Sequence, residues 1–181
     1  VEERVRQVIV NMERWRWMPE DMGDRHFMVN IAAFELQRVS SGSVVERIPV
    51  VVGKSYHQTP VFSDKMEYLE LNPTWTVPYS IATKEMLPKL QQNPNHLGDS
   101  FQLLAGGQSI PFSSVDFNQY STANFPYTIR QGQGEKNALG RVKFIFPNKH
   151  AVYLHDNPSR SLFAKKSRAL SHGCVRVYKP L

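Results

Sequence analysis

The sequence predicts a mainly β, α+β fold, a β sandwich or barrel with peripheral helices and an inserted subdomain. Short β-rich runs bounded by turn residues fill most of the chain on either side of a long central segment. One amphipathic helical pattern precedes the first of these runs, and the central segment differs from both flanks in composition. A chain of 181 residues is long enough for one domain that carries a sizeable insertion.

The N-terminal part is predicted to form one helix and one hairpin. From Val1 to Trp17, apolar residues recur at spacings of three and four, which lines one face of a helix. Residues 27–39 and 44–52 are β-rich, and Ser40-Ser41-Gly42 between them supplies a turn, so we expect these two runs to pair. A further short strand is predicted over residues 66–71.

The C-terminal part predicts a second hairpin, formed by residues 141–146 and 151–155. The four residues between them, Pro147-Asn148-Lys149-His150, are suited to a turn. A loop with one helical turn near Leu162-Phe163 is expected to follow.

The central segment is rich in Pro, Asn, Gln and Ser. Ser80 is a suitable N-cap for a short helix that ends near Leu90. Strands are predicted over residues 101–104, before the Gly106-Gly107 turn, and over residues 127–131. Inside one domain spanning residues 1–181, we therefore expect residues 81–125 to form a lid or capping subdomain, because a loop of that length is rarely structureless. These residues contain many large apolar side chains: Leu87, Leu90, Leu97, Phe101, Leu103, Leu104, Phe112, Phe117 and Phe125.

Composition places the chain among globular proteins with a basic surface. Hydrophobic residues make up 41% and charged residues 21%, the formal charge is +6 and the pI is about 9.5. Such a surface favours anionic partners, but no strong nucleic-acid motif is present. The short basic cluster of Lys165, Lys166 and Arg168 is interpreted as part of a solvated loop. No apolar run approaches the roughly 18 residues of a membrane span. Because the chain begins without Met, we expect it to be part of a longer protein with any targeting segment outside it.

The stretch most indicative of chemistry is Ser171-His172-Gly173-Cys174-Val175-Arg176. Cys174 is the only cysteine, and as a thiolate it can attack a carbonyl carbon. Gly173 permits a sharp turn, so that the amides of Gly173 and Cys174 can face a developing oxyanion. Arg176 has the planar fork that binds carboxylates.

Two histidines are candidate bases for Cys174. His172 would share a face with the nucleophile if both lay on a strand. His155 ends a predicted strand, which places a base opposite a nucleophile on a loop. Its second ring nitrogen then needs an orienting acceptor, such as a backbone carbonyl near Asp156. A zinc site made of His155, His172 and Cys174 is the rival, although its spacing lacks the usual paired ligands. The other histidines, His26, His57, His96 and His150, fit ordinary surface or core positions.

Taken together, these residues resemble the signature of the YkuD-type L,D-transpeptidases, in which His155 is followed after fifteen residues by Ser171-His172-Gly173-Cys174-Val175-Arg176. Four more segments of the chain resemble segments of this family. They are Val52-Gly53-Lys54 with Thr59-Pro60, Asn72-Pro73-Thr74-Trp75, Asn137-Ala138-Leu139-Gly140 and Tyr153-Leu154-His155-Asp156. The resemblance runs from about Val29 to Arg176. The long segment between Pro78 and Tyr127 resembles the YcbB-like branch of Gram-negative bacteria.

The resemblance implies a YkuD-like fold and a transpeptidase that forms 3→3 cross-links in peptidoglycan. Cys174 would attack the carbonyl between the diamino acid and D-Ala of a stem tetrapeptide and release D-Ala. By the same similarity His155 is the proton acceptor and donor, and His172 shapes the nucleophile loop. Gly173, Cys174 and the Tyr153 amide would form the oxyanion hole. Ser171, Arg176 and Tyr153 would position the substrate.

The implied partners are donor and acceptor stem peptides, with carbapenems as covalent inhibitors. No cofactor, metal or nucleic acid is expected. The implied location is the periplasm, with any membrane attachment through segments outside this chain. Two alternatives remain at this point. Hydrolysis of the same acyl-enzyme would make the protein an L,D-carboxypeptidase, and a basic surface without catalysis would make it a wall-binding module.

Overall fold

The computed structural model describes all residues from Val1 to Leu181 and divides them into two compact units. The first unit contains residues 1–68, 144–154 and 160–180, and the second contains residues 69–143 and 155–159 with Leu181. Most of the regular structure is β, as the sequence predicts. No helix combines the length and the apolar content that a membrane crossing requires.

The first unit begins with α1 (Glu2–Trp15) and three antiparallel strands, β1 (Arg25–Asn30), β2 (Glu35–Ser40) and β3 (Ser43–Gly53). The predicted hairpin is confirmed as β2–β3. Ser40 lies opposite Ser43, and Ser41 and Gly42 between them have φ values of 49° and 74°, as a tight two-residue hairpin turn requires.

The run over residues 27–39, predicted as one β segment, is two strands. The chain turns at residues 31–34, where the Asn30 side chain accepts a hydrogen bond from the Ala33 amide and Phe34 has a φ of 56°. Neither glycine nor proline marks this turn, so the sequence lacks a strong turn signal there.

Helix α1 has no buried residue, although its pattern is amphipathic. The spacing correctly predicted the helix, but the apolar face contacts no core. The hydrophobic core of the first unit lies elsewhere, in the later strands and beside them: Leu36, Val50, Val52, Phe146, Leu154, Val175 and Val177.

The end of β3 organises the rest of the first unit. Its last four residues, Val50–Gly53, are buried. They pair with β11 (Ala169–Ser171) in parallel and with β12 (Val175–Val177) in antiparallel orientation. The strand order of this unit is β1-β2-β3-β12-β10, where β10 is Leu154–His155. The predicted helical turn near Leu162 is confirmed as a 3-10 helix over Arg160–Ala164.

The second unit contains a four-stranded sheet with the order β5-β8-β6-β7. The strands are β5 (Trp75–Thr76), β6 (Phe101–Ala105), β7 (Gln108–Ile110) and β8 (Thr128–Gln131). Strands β4 (Tyr68–Leu71) and β9 (Val142–Ile145) pair with each other. They lie at the beginning and at the end of the segment 69–143.

The helical part of the second unit is a continuous run of three pieces. These are α2 (Tyr79–Ile81), a π-helical turn over Ala82–Met86 and α3 (Leu87–Gln92). The predicted cap at Ser80 is wrong, because the N-cap position belongs to Pro78 and no side chain caps the helix. Proline has no amide hydrogen and sets the entry angle through its fixed φ.

Residues 81–125 supply most of a second hydrophobic core. This core consists of Val77, Ala82, Leu87, Leu90, Leu103, Val115, Phe117, Phe125 and Ile129. The segment predicted as an insertion is therefore well packed, and Val77 and Ile129 extend its core beyond both ends of that segment. Its proposed role as a lid stays a prediction at this stage.

Candidate active site

Cys174 lies in a bend between two short strands of the first unit. Ser171 at the end of β11 is opposite Gly53, and Arg176 in β12 is opposite Val51, so both arms of the bend are anchored on β3. Gly173 has a φ of +117°, a conformation that side-chain-bearing residues rarely adopt. The idea that His172 and Cys174 share a strand face is wrong, because residues 172–174 form a bend and not a strand.

The Ser171 hydroxyl closes this bend from within. Its side chain is buried, and its Oγ donates a hydrogen bond to the Cys174 carbonyl at 2.6 Å and accepts one from the Gly173 amide at 3.1 Å. Sequence reasoning gave Ser171 a substrate contact and Gly173 an oxyanion contact. Both roles stay predictions, and in this structure both groups are hydrogen-bonded inside the bend.

A second hydroxyl, that of Thr59, holds the same bend from the loop after β3. Thr59 Oγ1 donates to the Gly173 carbonyl at 2.7 Å and accepts from the Gly53 amide at 2.9 Å. Sequence reasoning named Thr59 only as part of a family-like segment and missed this contact. Its partner is 114 positions away in the chain, so no local pattern connects the two residues.

Arg176 interacts electrostatically with the nucleophile. Burial lowers the pKa of the half-buried Arg176 guanidinium, and the attraction of a negatively charged Cys174 opposes this lowering only in part. Because this attraction is mutual, Arg176 favours the thiolate form of Cys174 over the thiol. The predicted contact of Arg176 with a substrate carboxylate remains a prediction.

His172 is exposed and is part of a row of aromatic rings. Its ring centroid lies 5.1 Å from that of His57, at an interplanar angle of 39°, and the His57 ring lies 5.0 Å from that of Tyr56. Tyr153, the other predicted contributor from this unit, is half-buried, and its carbonyl accepts a hydrogen bond from the Val175 amide at 3.1 Å. The predicted oxyanion and substrate contacts of Tyr153 stay predictions.

His155 is a buried residue of the second unit, with 5% of its surface exposed. Its Nδ1 lies 2.5 Å from the Asp156 carbonyl oxygen. A carbonyl only accepts hydrogen bonds, so Nδ1 carries the hydrogen, and in the neutral ring Nε2 has the lone pair that a base needs. The expectation that a backbone carbonyl near Asp156 orients this imidazole is confirmed.

Asp156 is itself held by the turn that precedes β9. Its Oδ2 accepts a hydrogen bond from the Arg141 amide at 3.0 Å, and its own amide donates to the Val142 carbonyl at 2.9 Å. Gly140, with a φ of +64°, lies so close that a Cβ there would meet the Asp156 side chain at 2.5–2.6 Å. Asn137, which is buried, shapes this turn because its side chain bonds the Leu139 amide and the Gly132 carbonyl.

No group of three or more His, Cys, Asp or Glu side chains in the structure is arranged to hold a metal ion. The expected reaction without a metal stays a prediction.

Comparisons with known proteins identify the family of the chain. The family model described as YkuD, L,D-transpeptidase catalytic domain, matches residues 24–180. A protein of Haemophilus influenzae named "Putative L,D-transpeptidase" is 35% identical over 175 residues, which are 96% of this chain and 35% of that protein. The chain thus spans about a third of the length of this relative.

Two solved structures match over 86% of this chain. An L,D-transpeptidase from Mycobacterium smegmatis has a TM-score of 0.46 at 15% identity, and LdtMt1 in complex with imipenem has a TM-score of 0.42 at 16% identity. In both cases the match covers 50% of the other chain.

The contact between Gly140 and Asp156 generates a prediction about His155. We expect Gly140→Ala to displace Asp156 and with it the carbonyl that accepts from His155 Nδ1. The ¹⁵N shifts of the imidazole should then change from those of a single Nδ1–H tautomer to those of a mixture. The variant should also lose more than the roughly 1–2 kcal/mol that a left-handed backbone costs an ordinary residue.

Gly42→Ala is the matched control, because Gly42 has a φ of +74° with nothing within 4 Å of its added Cβ. It should lose stability in urea unfolding through backbone strain alone and leave the His155 spectrum unchanged. An unaltered His155 tautomer in Gly140→Ala would show that the turn does not position the base.

Proposed function

Because the chain belongs to the YkuD family of L,D-transpeptidase catalytic domains, we propose that it cross-links peptidoglycan through a covalent intermediate on Cys174. The observation that carries the proposal is the bend around Cys174, the only cysteine of the chain, whose backbone is held by hydrogen bonds to Ser171 Oγ and which interacts electrostatically with Arg176. Such a site suits a nucleophile that must be a thiolate in a fixed position.

The proposed reaction has two transfers of the same acyl group. Cys174 Sγ attacks the carbonyl carbon between the third residue of a donor stem peptide, a diamino acid, and the fourth, D-Ala. The amide bond breaks, D-Ala leaves as an amine protonated through His155, and a thioester remains. The side-chain amine of an acceptor diamino acid then attacks the thioester and loses its proton to His155. The new amide is a 3→3 cross-link, and the thiol is regenerated.

The roles of the other site residues follow from the chemistry of each step. The tetrahedral intermediates carry a negative oxygen, for which the Cys174 amide and the Tyr153 amide are the proposed donors. Arg176 favours the attacking thiolate. His172 shapes the exposed side of the nucleophile loop through its contact with the His57 ring. Peptidoglycan lies in the cell envelope, so we place the reaction in the periplasm, where cross-linking maintains cell shape.

We further propose that residues 81–125 act as a lid that holds an extended stem peptide and limits access of water to the thioester. The hydrophobic core of this segment supports the proposal, because a packed segment can present a defined surface to a peptide. Exclusion of water would favour attack by the acceptor amine over hydrolysis.

The direct test of the proposed nucleophile is intact-mass spectrometry after incubation with a carbapenem. We expect one covalent adduct on the wild-type chain and none on Cys174→Ala, since the chain has no other thiol. Product analysis with a stem tetrapeptide should then give the 3→3 dimer. Free tripeptide as the only product would identify the hydrolytic alternative instead, and a wild-type chain that forms no adduct would contradict the proposed function.

The assignment of the base predicts different effects for the two histidines. His155→Ala should slow acylation of Cys174 by about 10²–10⁴-fold, the usual contribution of general-base catalysis. His172→Ala should slow it much less, because its imidazole lies on the exposed side of the loop. Single-turnover acylation measures both rates, and a more severe effect of His172→Ala would exchange the two roles.

The lid proposal is tested best without shortening the chain, because strands β6 and β8 join residues 81–125 to the rest of their sheet. In Cys174→Ala, which cannot react, a bound stem tetrapeptide should protect amides of residues 81–125 from hydrogen exchange. A small β-lactam bound to the same variant should protect them less. Protection restricted to residues 171–176 with both ligands would rule out the lid.

A further inference from the structure

The Thr59 hydroxyl has two partners, and both are backbone groups next to the nucleophile bend. It accepts from the Gly53 amide at the end of β3 and donates to the Gly173 carbonyl. One hydroxyl therefore bridges the buried end of β3 and the peptide group that directly precedes Cys174.

The loop that carries Thr59 lies directly against both glycines. A Cβ on Gly53 would overlap the His57 carbonyl and meet the Thr59 amide at 2.7 Å. A Cβ on Gly173 would lie 3.8 Å from the Gln58 carbonyl. The backbone of residues 57–59 therefore packs against both glycines, which places the Thr59 side chain beside them.

The bond to the Gly173 carbonyl fixes the direction of the Cys174 amide. Both groups belong to the same planar trans peptide unit, in which C=O and N–H point in opposite directions. With the carbonyl directed at Thr59 Oγ1, the Cys174 N–H points away from that hydroxyl. The Gly173 amide is engaged with Ser171 Oγ, so the Cys174 amide is the donor of this loop whose direction Thr59 controls.

We propose that Thr59 is a positioning residue for the transferase reaction, which orients the Cys174 amide as an oxyanion donor by holding the Gly173 carbonyl. This inference rests on the proposed function, because an oxyanion forms only when Cys174 attacks a carbonyl. Thr59 itself touches neither the substrate nor the reacting atoms.

The proposal separates two reactions of the same thiolate. Acylation by a carbapenem passes through a tetrahedral oxyanion, whereas alkylation by iodoacetamide displaces iodide and forms none. Removal of one oxyanion donor costs about 10²–10³-fold in rate, and misorientation of that donor should cost less, roughly 10-fold. Thr59→Val, which has a similar shape and no hydroxyl, should show that loss in the first-order acylation step, while alkylation changes less than about 2-fold.

Thr59→Ser is the matched variant, because it keeps the hydroxyl and should restore acylation. If Thr59→Val does not fold, Thr59→Ala removes the same hydroxyl and is measured in its place. Equal slowing of acylation and alkylation would show a purely structural role and overturn the proposal, as would acylation at the wild-type rate. A wild-type chain that is alkylated but never acylated would overturn the proposed function and this inference together.

Discussion

The arrangement of the active site depends on two buried or half-buried hydroxyl groups, those of Ser171 and Thr59, which satisfy backbone atoms that the bend cannot pair by itself. Buried amides and carbonyls are almost always hydrogen-bonded, because an unpaired one costs the free energy of a lost hydrogen bond. A bend between strands interrupts the ladder that normally provides those bonds. Here the Gly173 amide, the Gly173 carbonyl and the Cys174 carbonyl each receive a side-chain partner. The orientation of the peptides around Cys174 is thus fixed without a helix.

The same device orients the candidate base, with a backbone carbonyl as the partner of His155 instead of a carboxylate. A neutral carbonyl stabilises an imidazolium less than a carboxylate does, so an imidazole with a carbonyl partner is a weaker base. That is sufficient for a cysteine nucleophile. A free thiol titrates near pH 8.5 and imidazole near 6.5, so proton transfer between them costs only about 3 kcal/mol, even before Arg176 favours the thiolate.

The sequence predicted several elements that depend on neighbouring residues, although it missed the local turn at residues 31–34, and it missed a site contact that depends on distant residues. The run Ser40-Ser41-Gly42 identified the β2–β3 turn because serine and glycine are common turn residues. The carbonyl partner of His155 was also predictable, because it belongs to the next residue in the chain. The contact between Thr59 and Gly173 was not, because only the pairing of β3 with β11 and β12 brings these residues together. Helix α1 shows a different limit of sequence analysis. Its periodicity correctly predicted a helix but could not show whether the apolar face packs against the core.

Residues 81–125 are connected to the candidate base through the structure of the second unit. Their core includes Ile129 in β8, and β8 pairs with β6 so that Gln131 lies opposite Phe101. The Gln131 side chain bonds the Ala138 amide and the Lys136 carbonyl, in the turn that leads to Gly140. That turn holds the side chain of Asp156, whose carbonyl orients His155.

A change that loosens the core of residues 81–125 therefore reaches His155 through bonded neighbours, whether or not the segment touches a peptide. Loss of activity on deletion of the segment would not by itself identify a lid. Only a contact that appears when the stem peptide binds separates substrate holding from support of the base.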